Sequence, residues 1–116
     1  MYSRNDRLVA VIREELSRAL RTVKDPGLLG LMTITDVGIS PDRKRVSVFY
    51  SVYGSPKERE STARALDRSR SYLRQVIKRR LTMKVIPELE FTYDETPYKA
   101  SRVEQLLADI DREKEA

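Results

Sequence analysis

Near the start of the chain, Leu8, Ile12, Leu16, Ala19, Leu20 and Val23 recur at three- and four-residue steps, with charged residues in many of the positions between. That spacing lines one face of an amphipathic helix. Lys24-Asp25-Pro26-Gly27 ends it, because Pro26 disfavours helical geometry at Asp25 and Gly27 accepts positive φ. From Leu29 to Ile39 the residues become β-branched. Simple alternation places Thr33, Thr35, Val37 and Ile39 on one face of a strand and Met32 and Ile34 on the other. Ser40-Pro41-Asp42-Arg43-Lys44 reads as a turn, after which Val46, Val48, Tyr50 and Val52 alternate with Arg45, Ser47, Phe49 and Ser51. The two strands are predicted to pair as an antiparallel hairpin.

Gly54-Ser55-Pro56 opens the next helix, with Ser55 at the N-cap, Pro56 in the first helical position and Glu58 in the first turn. Its apolar stripe is Ala63, Leu66, Leu73, Val76, Ile77 and Leu81, with a gap where the period asks for an apolar residue at Ser69 or Arg70. Serines compete for backbone hydrogen bonds and are associated with kinks, so two helices with a bend at Ser69-Arg70-Ser71 are expected. Val85, Pro87, Leu89, Phe91 and Tyr93 share one face of a third strand, and Pro87, lacking a donor, suits its start or an edge. Thr96 is expected to cap a short helix near Pro97, with Val103, Leu106, Leu107 and Ile110 on its apolar face. The order gives a two-layer α+β domain with helices packed on a three-stranded sheet, spanning residues 1–112 and followed by a charged tail at 113–116. Strand order is left open.

Charge changes this picture. Between Lys57 and Lys84 stand ten basic residues against three acids, Glu58, Glu60 and Asp67, a local surplus of seven; the rest of the chain has two more acids than bases. The whole net charge of +5 therefore comes from one predicted helical element. Such a field attracts a polyanion and releases its counterions, so nucleic acid is the first partner to consider. The chain has neither cysteine nor histidine, which removes disulfides, thiolate or imidazole metal sites and imidazole-based nucleophile systems together. No apolar run approaches a membrane span and the N-terminus is polar, so a cytoplasmic location is expected.

Arg64, Arg68, Arg70, Arg74, Lys78, Arg79, Arg80 and Lys84 surround the expected bend. Several lie three or four residues apart and stack along a helix face. They are the candidate RNA-binding residues, with Ser69 and Ser71 shaping the bend, where free amides at the start of a second helix would meet a phosphate. The alternative is a solvated helix exterior, which charge runs usually are. Tyr50, Phe91 and Tyr93 could stack on bases, but they share the alternation of the aliphatic face and read as core. Asp36, Asp42, Glu88, Glu90 and Asp94 could be assembled into a magnesium site, although nothing in their spacing requires it. The sequence has no GxxxxGK[ST] or GxGxxG phosphate loop.

Several local strings resemble the bacterial ribosome-binding factor A family, over about Arg4 to Leu107. The most specific is Pro87-Glu88-Leu89-Glu90-Phe91-Thr92-Tyr93-Asp94, matching the family's Pro-Glu-Leu-x-Phe-x-x-Asp. Thr33-Ile34-Thr35-Asp36-Val37 with Ser40-Pro41-Asp42 is similar to its first strand and turn, Tyr72-Leu73-Arg74 to the string after its helix bend, and Arg4-Asn5-Asp6-Arg7-Leu8 to the opening of its first helix. The resemblance implies a type II KH-like domain, α-β-β-α-kink-α-β, that binds the small ribosomal subunit late in its assembly, assists maturation of 16S rRNA and is linked to growth in the cold. Where the family has an Ala-x-Gly bend, this chain has Ser69-Arg70-Ser71, and a left-handed turn at Ser71 costs more than at glycine.

The expectation is therefore a single-domain RNA-binding assembly factor for the 30S subunit and the 16S rRNA precursor. It acts by binding, as a monomer, and calls for no cofactor, metal, membrane or small-molecule substrate. A general KH-like RNA or DNA binder is the alternative among binding proteins. A metal-dependent nuclease using Asp36, Asp42 and Asp94 is the alternative from another class.

Overall fold

A computed structural model describes residues 1–28, 31–82 and 86–96. Asp6 caps the first helix, α1 (Arg7–Thr22), its carboxylate accepting the Leu8 amide at 2.9 Å. Strands β1 (Leu31–Ile39) and β2 (Arg45–Tyr53) follow, then the long helix α2 (Pro56–Leu81) and strand β3 (Glu88–Tyr93). The sheet order is β1-β2-β3, with β1 antiparallel and β3 parallel to the central β2. Pro87 stands just before β3, where its missing N–H costs no ladder bond. Val9, Ile12 and Leu16 of α1 and Leu73 and Ile77 of α2 pack with Val37, Ile39, Val46, Val48 and Leu89 of the sheet in one core.

Strict alternation fails in β1. Ile34 faces Tyr50, but the register then shifts, so that Asp36 faces Phe49 and Val37 faces Val48. Thr35 is the extra residue of a β-bulge, and it moves Val37 and Ile39 onto the same buried face as Ile34. The expected separation of Ile34 from Val37 and Ile39 is thereby corrected. Thr35 itself donates its hydroxyl to Asp94 Oδ2 at 2.7 Å, tying β1 to the residue after β3.

The two-helix reading is also corrected. Residues 56–81 form one uninterrupted helix of 26 residues, with the capping box of Ser55 and Glu58 and Pro56 at its start as expected. Ser69 does not break it, because Ser69 lies on the buried stripe itself, 7% exposed, in line with the fully buried Leu66, Leu73 and Ile77. The apparent gap is a small side chain where the Thr22–Pro26 segment after α1 comes in beside it. The stripe runs through Thr62 and Ala65 rather than Ala63, which is only partly buried.

The connection after α1 is fastened to α2. Gly27 accepts the Ser61 hydroxyl at its carbonyl, at 2.8 Å, and donates its amide to Asp25 Oδ1 at 2.8 Å. Glycine leaves room here for the guanidinium: an added Cβ would stand 2.5 Å from Arg68 Nη2 and push that group aside. In the hairpin turn Asp42 accepts the Ser40 hydroxyl at 2.7 Å and the Lys44 amide at 3.0 Å, and Arg43 takes the left-handed conformation, φ 59°. The expected helix beyond Pro97, the tail, Lys84 and Val85 lie outside the described residues. Thr96 donates its amide to Asp94 Oδ1 at 2.9 Å.

Candidate nucleic-acid interface

Because α2 is continuous, its cations fall into two groups along its length. The arginines from Arg64 to Arg74 are engaged. Arg64 pairs with Glu60 one turn back, and Arg70 with Asp67. Arg68 grips Asp25 with two prongs, Nε to Oδ2 and Nη2 to Oδ1, each 3.0 Å. That guanidinium, helped by the Gly27 amide, holds the Asp25 carboxyl below the usual range, and the same bond pushes the Arg68 guanidinium up. Arg74 turns inward to the start of β3, donating to the Pro87 carbonyl at 3.2 Å and lying 3.2 Å from Glu88 Oε1. It holds the end of the crossover connection in place.

The C-terminal cations are different. Lys78 and Arg79 are exposed and have no ion pair among the described residues, and Arg80 is 65% exposed with Nε a loose 3.8 Å from Glu15 Oε2. Cations are favoured in the last turn of a helix, where the macrodipole presents about half a negative charge. Three successive cations exceed that need, so a net positive potential faces solvent at this end. Of the remaining candidates, Ser71 is exposed and Ser69 buried. Neither shapes a bend, and the amides of this stretch are spent in the helix ladder, so the expected approach of a phosphate to free amides at residues 69–71 is withdrawn.

Sequence reasoning missed the surface between the two helices. A groove of about 410 Å³ is lined by Glu15, Arg18 and Thr22 of α1 and by Tyr72, Val76 and Arg79 of α2, among others. A second, of about 640 Å³, adjoins it at Thr22 and Tyr72 and includes Lys24, Asp25 and Arg68. Tyr72 stands at their junction, 46% exposed. The available signal was Tyr72 itself, an aromatic off the buried stripe amid arginines.

The carboxylates considered for magnesium are scattered. Asp36 pairs with Arg4 at 3.0 Å, Asp94 accepts from Thr35 and Thr96, and Glu88 faces Arg74. Among the described residues no three metal-ligating side chains are placed to hold an ion. Asp42 serves the hairpin turn, and its carboxyl is held low by the Ser40 hydroxyl and then by the Lys44 amide. Tyr50 is 4% exposed and meets Tyr93 edge-on at 5.6 Å, with the Arg59 guanidinium 5.2 Å from the Tyr93 ring centre. Burial pushes the Tyr50 hydroxyl up, with the Asp67 charge adding to the effect. Phe91 packs against the core. These aromatics are packing residues. No helix among the described residues is long and apolar enough to cross a membrane.

The family model for ribosome-binding factor A matches residues 4–107. The ribosome-binding factor A of Frankia casuarinae is 41% identical over 115 residues, covering 98% of this chain and 67% of that protein. That of Geobacter sulfurreducens is 36% identical, covering 98% and 97%. The crystal structure of ribosome-binding factor A from Thermus thermophilus matches with a TM-score of 0.66 at 30% identity, over 74% of this chain and 90% of that one. A homology model of the Thermus thermophilus protein, fitted into the cryo-EM map of its complex with 30S, matches with a TM-score of 0.65 at 29% identity, over 78% and 94%. The matched proteins are binding factors rather than members of an enzyme class, and with both the fold and nearly the whole length in agreement this chain belongs to the ribosome-binding factor A family.

Proposed function

We propose that this chain binds the small ribosomal subunit and assists late maturation of the 30S particle and processing of 16S rRNA, without bond chemistry of its own. It acts as a single KH-like domain, a monomer in the cytoplasm. One observation supports this choice of contact: Lys78, Arg79 and Arg80 are each exposed and free of close ion pairs at the end of α2, where a phosphate backbone would neutralise them. The relative fitted into a 30S complex supports the choice of partner. Arg64, Arg68 and Arg70 remain within reach of solvent and add to the field, while Arg74 contributes by fixing the helix to β3.

Sedimentation with free small subunits and with intact ribosomes tests this. The parent chain is expected to travel with free small subunits, and the triple variant Lys78→Gln, Arg79→Gln, Arg80→Gln to remain at the top of the gradient. A parent that travels with neither particle, or equally with any added RNA or DNA, would favour the general nucleic-acid binder instead.

A further inference from the structure

We propose that Tyr72 is a base-stacking platform, so that the surface between α1 and α2 takes an unpaired nucleotide of RNA and not only a phosphate backbone. The inference rests on the RNA-binding reading above and adds to it the conformation of the RNA.

Three observations converge on the ring. First, Tyr72 is 46% exposed although its helix neighbours Leu73 and Ile77 are fully buried, so its position on the flank of α2 leaves aromatic surface facing solvent. Secondly, its hydroxyl end is pinned. Thr22 Oγ1 lies 3.2 Å from the Tyr72 oxygen, and the Thr22 hydroxyl already spends its single proton on the Ala19 carbonyl at 2.8 Å. Tyr72 must therefore be the donor to Thr22. A ring held at its tip loses little further freedom when a base settles on it.

Thirdly, cations stand on either side. In the groove towards the end of α2 lies Arg79, two helical turns and about 10 Å beyond Tyr72. In the adjoining groove lies Lys24, exposed and without an ion pair among the described residues. A strand crossing from one groove to the other would pass over the ring, with a cation for the backbone on each side. Aromatic platforms within basic grooves are how proteins hold single-stranded nucleic acid, since every base has a π-face and a duplex keeps its bases stacked on one another. An aliphatic partner would have no use for the flanking cations, and a duplex would have no use for the ring.

Variants of the full chain are titrated against free small subunits, and against a single-stranded RNA oligonucleotide carrying 2-aminopurine beside a hairpin of equal length. Tyr72→Leu, which keeps apolar bulk, is expected to weaken binding to subunit and single strand about tenfold. Its salt dependence and its hairpin binding should stay at the parent values. Tyr72→Phe keeps the ring and should bind close to the parent. Binding should quench 2-aminopurine with the parent and Tyr72→Phe but not with Tyr72→Leu.

If Tyr72→Leu binds like the parent, or the parent causes no quenching, stacking is wrong. Arg79→Gln keeps the two readings apart: weakening by Arg79→Gln alone leaves the basic end as a phosphate contact, whereas parent-like binding by both variants removes both readings. Unchanged melting temperature and helical circular dichroism in Tyr72→Leu establish that the loss is one of contact rather than of fold.

Discussion

The Tyr2 hydroxyl lies 3.4 Å from a Glu90 carboxylate oxygen, although Tyr2 begins at the outer edge of β1 and Glu90 stands on β3. The residue between their strands explains the reach. Gly38, Ser47 and Glu90 are neighbours in register across the sheet, on the face opposite the core. Gly38 has no side chain and Ser47 a short one, which leaves a lane for the tyrosine ring. Tyr2 Cβ sits 3.2 Å from where a Gly38 Cβ would stand, and Ser3 and Ile39 exchange backbone hydrogen bonds of 2.8 and 2.9 Å. The first residues of the chain thus cover part of the outer sheet face.

Gly38→Val should displace that cover. A branched side chain fills the lane and forces Tyr2 aside, with a cost of about 1–3 kcal/mol in stability. Hydrogen exchange at the Ser3 and Ile39 amides measures the displacement directly. Protection at those amides equal to the parent's would mean that the lane is wider than the geometry indicates.

Acid should loosen the fastening between α1 and α2. The Asp25 carboxyl is held low in the folded protein, first by Arg68 and then by the Gly27 amide, so its contribution to stability is present above the ordinary aspartate range and is lost as pH falls through the folded value. Asp42, Glu58 and Asp94 are shifted in the same direction and act with the same sign. Melting temperature should therefore fall below about pH 4. Asp25→Asn should melt lower at neutral pH and lose less on acidification than the parent, and equal acid sensitivity would place the titration elsewhere.

Salt should distinguish the two groups of cations on α2. On the proposed RNA contact, Lys78→Gln and Arg79→Gln would each leave one phosphate unneutralised, so affinity for small subunits should fall and the slope of log K against log salt should become shallower by ~0.7–0.9. Their stability should stay within ~0.5 kcal/mol of the parent. Arg74→Gln should show the reverse, losing about 1 kcal/mol of stability as the Pro87 carbonyl loses its donor, with the slope unchanged.

Ser69 gives a test of the continuous helix. Ser69→Ala should leave helical circular dichroism unchanged and stability within ~0.5 kcal/mol, because there is no bend to straighten. A gain of helix in Ser69→Ala would restore the bend.

Much of the fold was legible because local signals agree with the tertiary structure. The three-four spacing from Leu8 to Ala19, the Ser55-Pro56-x-Glu58 start and the alternation from Val46 to Val52 each report a single buried face. Two features were hidden for opposite reasons. Thr35 reads as an ordinary β-branched strand residue, and only pairing with β2 reveals it as a bulge. Ser69 reads as a defect in an apolar stripe, whereas it is a small residue buried on that stripe, in line with Leu66, Leu73 and Ile77. The basic surplus was visible in the sequence, but its division was not: Asp25 and the Pro87 carbonyl are distant in sequence from the arginines they engage. Tyr72 acquires its setting only when α1 lies alongside it.

The parallel placement of β3 beside β2 also sets an order of events during synthesis. The hairpin of β1 and β2 can close as soon as Tyr53 has been made, but the other edge of β2 waits for residues 54–87 before Glu88 can donate to the Lys44 carbonyl and Asp94 to the Tyr50 carbonyl. Throughout that interval a nine-residue strand, with Val46, Val48, Tyr50 and Val52 on one face, offers unpaired backbone groups to any other extended chain. A chain stopped before Glu88 is caught in that state, so truncation there should yield aggregates rather than a smaller folded domain.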